Sequence, residues 1–139
     1  MIASEPAVFA DTHIHVGILP RGGMTARLPR LVGLAMARRL SMTGEGVDAA
    51  RAERIGLVTE VVARARLLER ALELAGQIGE VPGATMAALK EIYTTRAAPM
   101  IDPTLAAEAK IAFAQHRDFD GLDDQFREVS DHNKRQIHG

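Results

Sequence analysis

Apolar residues in this chain follow two periods. Ala7-Val8-Phe9-Ala10 is an unbroken apolar run too short for a helix, and Leu57-Val58-Thr59-Glu60-Val61-Val62 is brief and rich in β-branched residues. Both read as strands. Elsewhere the spacing is helical. Thr25 to Val32 predicts a short helix in which Pro29 suits only an early turn. Leu34 to Met42 predicts a second helix, ended by Gly44. Asp48 is a good N-cap for a third, which runs to Ile55 and stops at Gly56. Leu67, Leu68, Ala71, Leu72, Ala75 and Ile78 then share one face of a fourth. Further helices are expected at about Gly83–Thr95, Pro103–His116 and Leu122–Asn133. Between the first strand and the first helix, Gly17 to Gly23 holds Pro20 and three glycines, the mark of a loop.

This is a helix-rich pattern with little sheet. Two strands do not build a sheet core, and a lone hairpin is marginal in water. The N-terminal strand is therefore expected to pair with a sheet supplied from elsewhere: a missing N-terminal half, another chain or another subunit. Composition narrows the core further. Aromatic residues are 4% of the chain, with one Tyr and no Trp, so Ala, Leu, Val, Ile and Met must fill the interior. At 139 residues the chain has the length of one ordinary domain. Cysteine is absent, which excludes disulfides and thiolate metal sites. No apolar run approaches the roughly 20 residues of a membrane span, and no basic segment followed by an apolar one opens the chain. The expectation is a cytoplasmic protein that binds no membrane.

Charge is nearly balanced, at −1, but unevenly spread. Arg21 to Arg70 carries ten Arg against five acids, whereas Ala71 to Gly139 carries seven bases against eleven acids. An Arg-rich segment can meet phosphates. A solvated helix face paired with acids elsewhere explains it with less.

Candidate chemistry gathers near the first strand. Asp11-Thr12-His13-Ile14-His15 contains His-x-His at a strand end, similar to the amidohydrolase metal motif, in which alternate strand residues point two imidazoles at one ion. Such a site needs further ligands. The remaining histidines, His116, His132 and His138, fall in C-terminal helix or tail, and the chain is too short for an eight-stranded barrel. No metal is expected, and a metal-dependent hydrolase stays a remote alternative. Leu28 to Ile55 also invites comparison with a DNA-binding helix-turn-helix. Its turn, Gly44-Glu45-Gly46-Val47-Asp48, is too loose and carries acids, so nucleic acid is not an expected partner.

A more specific pattern runs through the same residues. Phe9-Ala10-Asp11-Thr12-His13, Val16-Gly17-Ile18-Leu19-Pro20, Gly22-Gly23, Thr25, Arg27-Leu28, Val32-Gly33 and Leu40-x-x-Thr43-Gly44 resemble the enoyl-CoA hydratase/isomerase (crotonase) family. The likeness continues through Asp48-Ala49 and Ala52 into Gly56-Leu57-Val58-x-x-Val61-Val62, without a gap. Lys90 stands where that family often has a lysine. Asp118 to Phe126 resembles the family's final acidic helix, although Arg127-Glu128-Val129-Ser130-Asp131 replaces the usual basic tail.

The resemblance implies a mainly α fold with a short β remnant: the C-terminal part of a crotonase-like ββα spiral, followed by a helical trimerisation region. Residues 1–65 would be the remnant of the spiral core, forming one wall of an acyl pocket, and 66–139 the trimerisation region. Members act on acyl-CoA thioesters through an enolate, whose oxygen is held by two backbone N–H groups. In hydratases two glutamates activate and deliver water. Both oxyanion-hole positions and the first glutamate precede the residue matching Met1, while the second glutamate falls at His13. The implied site is His13 as acid–base group, with Gly17, Pro20 and Gly23 lining the substrate. No separate cofactor is implied, because coenzyme A arrives as part of the substrate. The expected partners are acyl-CoA and either a trimer-type homo-oligomer or a related crotonase subunit. The reading is a truncated protein, weak or inactive alone and of marginal stability. Its alternative is a non-catalytic helical interaction domain.

Overall fold

A computed structural model of the chain describes residues 1–114 together with 124, 127–129 and 131. It is mainly helical, with four short strands. The order is β1 (Ile2–Ser4), β2 (Val8–Phe9), a 3-10 turn (His13–Val16), α1 (Met24–Val32), α2 (Leu34–Thr43), β3 (Val47–Asp48), α3 (Ala49–Arg54), β4 (Glu60–Val62), a second 3-10 turn (Arg64–Arg66), α4 (Leu67–Gly79) and α5 (Gly83–Ala114).

The two expected strands do not pair with each other, and each finds its partner within the chain. β1 runs parallel to β4, with Ala3 opposite Val61. Hydrogen bonds from Thr59 N–H to the Met1 carbonyl (2.8 Å) and from Glu5 N–H to the Val62 carbonyl (2.9 Å) extend that ladder. β2 runs antiparallel to β3, with Phe9 opposite Val47. The expectation of a sheet supplied from outside therefore needs correction. The partner strands β1 and β3 are only three and two residues long, too short to carry a periodic signal.

Small residues let these pieces close on one another. Ala3, Ala37, Ala49 and Ala52 are buried together with Leu28, Leu40, Val47 and Val58. Phe9, Met24, Met36 and Leu57 pack against them as partly buried neighbours. α1 and α2 meet at Gly33, whose φ of 78° lies in the left-handed region. Asp48 caps α3 as expected, its carboxylate accepting the Arg51 N–H at 2.6 Å.

The C-terminal helices depart most from the expected pattern. Helices predicted at Gly83–Thr95 and from Pro103 onward are one continuous helix, α5, that passes through Pro99 and Pro103. Each proline lacks the N–H that would bond four residues back, so the helix runs on despite two missing rungs. On α4 the predicted apolar face exists but none of its residues is buried: Leu68 is 71% exposed and Leu72 63%. The predicted end of the helix from Pro103, at His116, and most of Leu122–Asn133 lie outside the described residues.

Much of the Arg-rich middle is paired with acids. Arg39 and Arg51 both reach Glu45, and Arg70 joins Glu60 of β4 to Glu73 of α4. These pairs hold the Glu45 and Glu60 carboxyls below the ordinary carboxylate range, chiefly through the guanidinium hydrogen bonds. Among the described residues no helix is long and apolar enough to cross a membrane.

Candidate functional site

The segment from β2 to α1 carries every residue singled out for chemistry. Leaving Phe9, the chain buries Asp11, which is 6% exposed. Thr12 follows at φ −92° and ψ 5°, a sparsely populated bridge conformation that turns the chain into the 3-10 helix. That turn brings the His13 ring back onto Asp11, with Nδ1 2.7 Å from Oδ1. The other carboxylate oxygen, Oδ2, is buried and has no hydrogen-bond partner among the described residues. The His13 side chain is 43% exposed, so a sheltered carboxylate backs an accessible imidazole. Val16 anchors the turn in the interior, and Gly17 closes it at φ 59°.

This geometry separates the two histidines of His-x-His. On a strand, alternate residues share a face, but on a 3-10 helix with three residues per turn they do not. His13 meets Asp11, while Nε2 of His15 lies 3.4 Å from the Gly44 carbonyl. Gly44 has φ 62°, and a Cβ there would collide with the His15 ring. No cluster of three potential metal-binding side chains occurs among the described residues.

The other candidates lie further along the same segment. Gly17 is exposed and Pro20 half-buried. Gly23 is buried, has φ 86° and precedes α1. Its N–H donates to Glu108 Oε1 of α5 at 2.9 Å, and the Thr25 N–H donates to Oε2 at 3.1 Å. The Thr25 hydroxyl donates to the same oxygen. Burial opposes ionisation of Glu108, but these donors, with Arg27 nearby, outweigh it and hold the carboxyl below the ordinary range. Beside this contact, Arg21 Nη2 donates to the Ala112 carbonyl at 3.3 Å and stacks over Phe113. α5 is thus fastened to the loop that carries Pro20 and Gly23.

Asp11 also lines an apolar cavity of about 350 Å³. Phe9, Met24, Leu28 and Leu40 line it, and Asp11 and Glu45 bring carboxylates to its wall. None of His13, Gly17, Pro20 and Gly23 is among its lining residues, so the expected pocket wall and this cavity are different surfaces. Two polar residues of the site had no assigned role in the sequence. Asp11 stands two positions before His13, a visible signal. Glu108 lies 85 positions from Gly23, and nothing in the linear pattern joins them.

This arrangement of short strands and helices is that of crotonase-fold proteins among solved structures. The sequence profile of the enoyl-CoA hydratase/isomerase family matches residues 1–128, and the chain belongs to that family. A probable enoyl-CoA hydratase of Rhizobium meliloti is 49% identical over 89 residues, covering 63% of this chain and 35% of that protein. Carnitinyl-CoA dehydratase of Escherichia coli is 31% identical over 137 residues, covering 85% and 52%. Among solved structures, enoyl-CoA hydratase from Mycobacterium avium matches at a TM-score of 0.78 and 43% identity, over 81% of this chain and 50% of that one. The enzyme from Mycobacterium tuberculosis matches at 0.77 and 41%, over 94% and 54%. The chain therefore spans between a third and just over half of the relatives it matches.

Proposed function

We propose that the chain acts on acyl-CoA thioesters as an enoyl-CoA hydratase/isomerase-type protein, in cytoplasmic fatty-acid metabolism, with His13 as its acid–base group. Family membership supports the substrate class. The observation that carries the role of His13 is its position: an accessible imidazole against a buried carboxylate, within the span that matches the family. In hydration, the water oxygen bonds to C3 of the enoyl thioester while His13 takes the water proton. The C2=C3 electrons move into the thioester as an enolate, which then takes that proton from His13 at C2. Coenzyme A enters as part of the substrate, and no separate cofactor is invoked. Gly17, Pro20 and Gly23 form a wall along the acyl chain.

The enolate oxygen needs two N–H donors to stabilise it. Crotonyl-CoA hydration by the purified chain, followed spectrophotometrically, tests the proposal. Slow hydration that drops to background in His13→Ala is the expected result. Hydration that His13→Ala leaves untouched removes His13 from the chemistry.

The uncovered apolar face of α4 favours assembly as a second activity. That face would dock a further copy of this chain, in a trimer-type assembly, or a related crotonase subunit. Light scattering after size exclusion reads the stoichiometry, and a monomer at all concentrations argues against self-assembly.

A further inference from the structure

We propose that Asp11 is a positioning residue that holds His13 in a single tautomer, Nδ1–H, and so leaves Nε2 as the nitrogen that handles the proton. The inference deepens the role proposed for His13 and rests on that reading for its catalytic meaning, though not for its structural content. The argument begins with the carboxylate. A buried carboxylate needs donors, and Oδ2 of Asp11 has none among the described residues. The contact from His13 to Oδ1 at 2.7 Å is therefore of unusual weight for this group. A carboxylate oxygen is an acceptor, so the ring nitrogen facing it carries the hydrogen, and neutral imidazole keeps its lone pair on the opposite nitrogen.

The backbone makes this arrangement rigid. Thr12 in the bridge conformation sets the angle between the two side chains, and the turn is closed by bonds from Gly17 N–H to the Ile14 carbonyl (3.0 Å) and from Ile18 N–H to the His13 carbonyl (2.9 Å). Asp11 itself is locked in the wall of the apolar cavity. A flexible side chain would let the ring exchange tautomers; this one is aimed from a buried anchor. The same device distinguishes His13 from His15, whose Nε2 rather than Nδ1 faces a carbonyl acceptor, that of Gly44. The two histidines, two positions apart, thus meet different acceptors, and His13 presents the outer nitrogen.

Nitrogen-15 NMR of the histidine-labelled chain, at about pH 8.5 where an ordinary imidazole is neutral, reads each tautomer directly. The wild-type His13 should show a protonated Nδ1 and an unprotonated Nε2 as the dominant form. In Asp11→Ala the acceptor facing Nδ1 is removed, and the dominant form should shift to Nε2–H. Asp11→Glu restores a carboxylate and should recover part of the Nδ1–H population. A wild-type chain with His13 mainly Nε2–H overturns the proposal without any variant, so a misfolded mutant cannot shelter it. A tautomer that is the same in wild type and in folded Asp11→Ala overturns it equally. Loss of crotonyl-CoA turnover is a separate readout. Wild-type His13 as Nδ1–H in a chain that never hydrates crotonyl-CoA supports the positioning role of Asp11 and counts against the acyl-CoA reading alone.

Discussion

Replacing Glu108 tests how α5 is held to the site loop. The N-cap of α1 is Gly23, which has no side chain to cap the helix, and the first-turn N–H groups would otherwise go unsatisfied. Glu108 supplies the cap from 85 positions away, accepting from the N–H groups of Gly23 and Thr25. A missing N-cap costs about 1 kcal/mol, and a carboxylate at a helix N-terminus adds about 0.3–1 kcal/mol through the dipole. Glu108→Gln keeps the shape but loses the charge and turns an NH₂ toward a donor, so a loss of about 1–2 kcal/mol is expected. For a chain of this size that lowers the melting temperature by roughly 3–6 °C.

The pH dependence has a definite sign. The folded carboxyl ionises below its ordinary range despite its burial, because the Thr25 hydroxyl and the two backbone donors favour the charged form. Its contribution is therefore complete above the unfolded carboxylate range. It is lost as pH falls through that range and through the lower folded value. Urea unfolding followed by far-UV circular dichroism, at neutral pH and at several acidic values, should show wild type and Glu108→Gln converging as the pH drops. Equal stability at neutral pH, or an unchanged gap in acid, would refute the capping argument.

Other substitutions probe separate parts of the structure. Leu40→Ala, at a buried position beside the cavity, should cost about 2–4 kcal/mol by urea titration, toward the lower end because existing space lets the site relax. Gly44→Ala forces a left-handed φ of 62° on alanine and pushes the His15 ring aside. A loss of about 1–2 kcal/mol and a shifted His15 ring resonance are expected. Asp48→Ala removes the cap of α3 and should destabilise by about 1 kcal/mol, whereas Asp48→Asn retains most of it. Leu68→Lys with Leu72→Lys places charge on the exposed face of α4. Melting temperature should hold while any assembly seen by light scattering dissociates.

Local chemistry was legible in the sequence wherever neighbours in the chain decide it. The glycines at 23, 33, 44 and 56 with positive φ bound the helices close to where the pattern puts them, and Asp48 caps the helix it precedes. The order of residues from Phe9 to Val62 was enough to place the chain in its family, because turn glycines and apolar spacing are backbone requirements of that fold. His13-Ile14-His15, expected just past the end of the strand, lies in a 3-10 helix into which one bridge-region residue, Thr12, turns the chain.

The prolines misled. Pro99 and Pro103 read as a break, yet α5 carries both in one helix, since tertiary contacts can outweigh a few kcal/mol of local cost. Residue types and their spacing alone determined the helices up to α4, the loop and the family. Three things waited on tertiary structure: the pairing of β1 with β4 and of β2 with β3, the cap that Glu108 lends to α1, and the carboxylate of Asp11 turned onto His13. The first two join residues far apart in sequence, and the third depends on a single backbone dihedral pair. Hydrophobic period encodes neither distance in space nor the direction of one side chain.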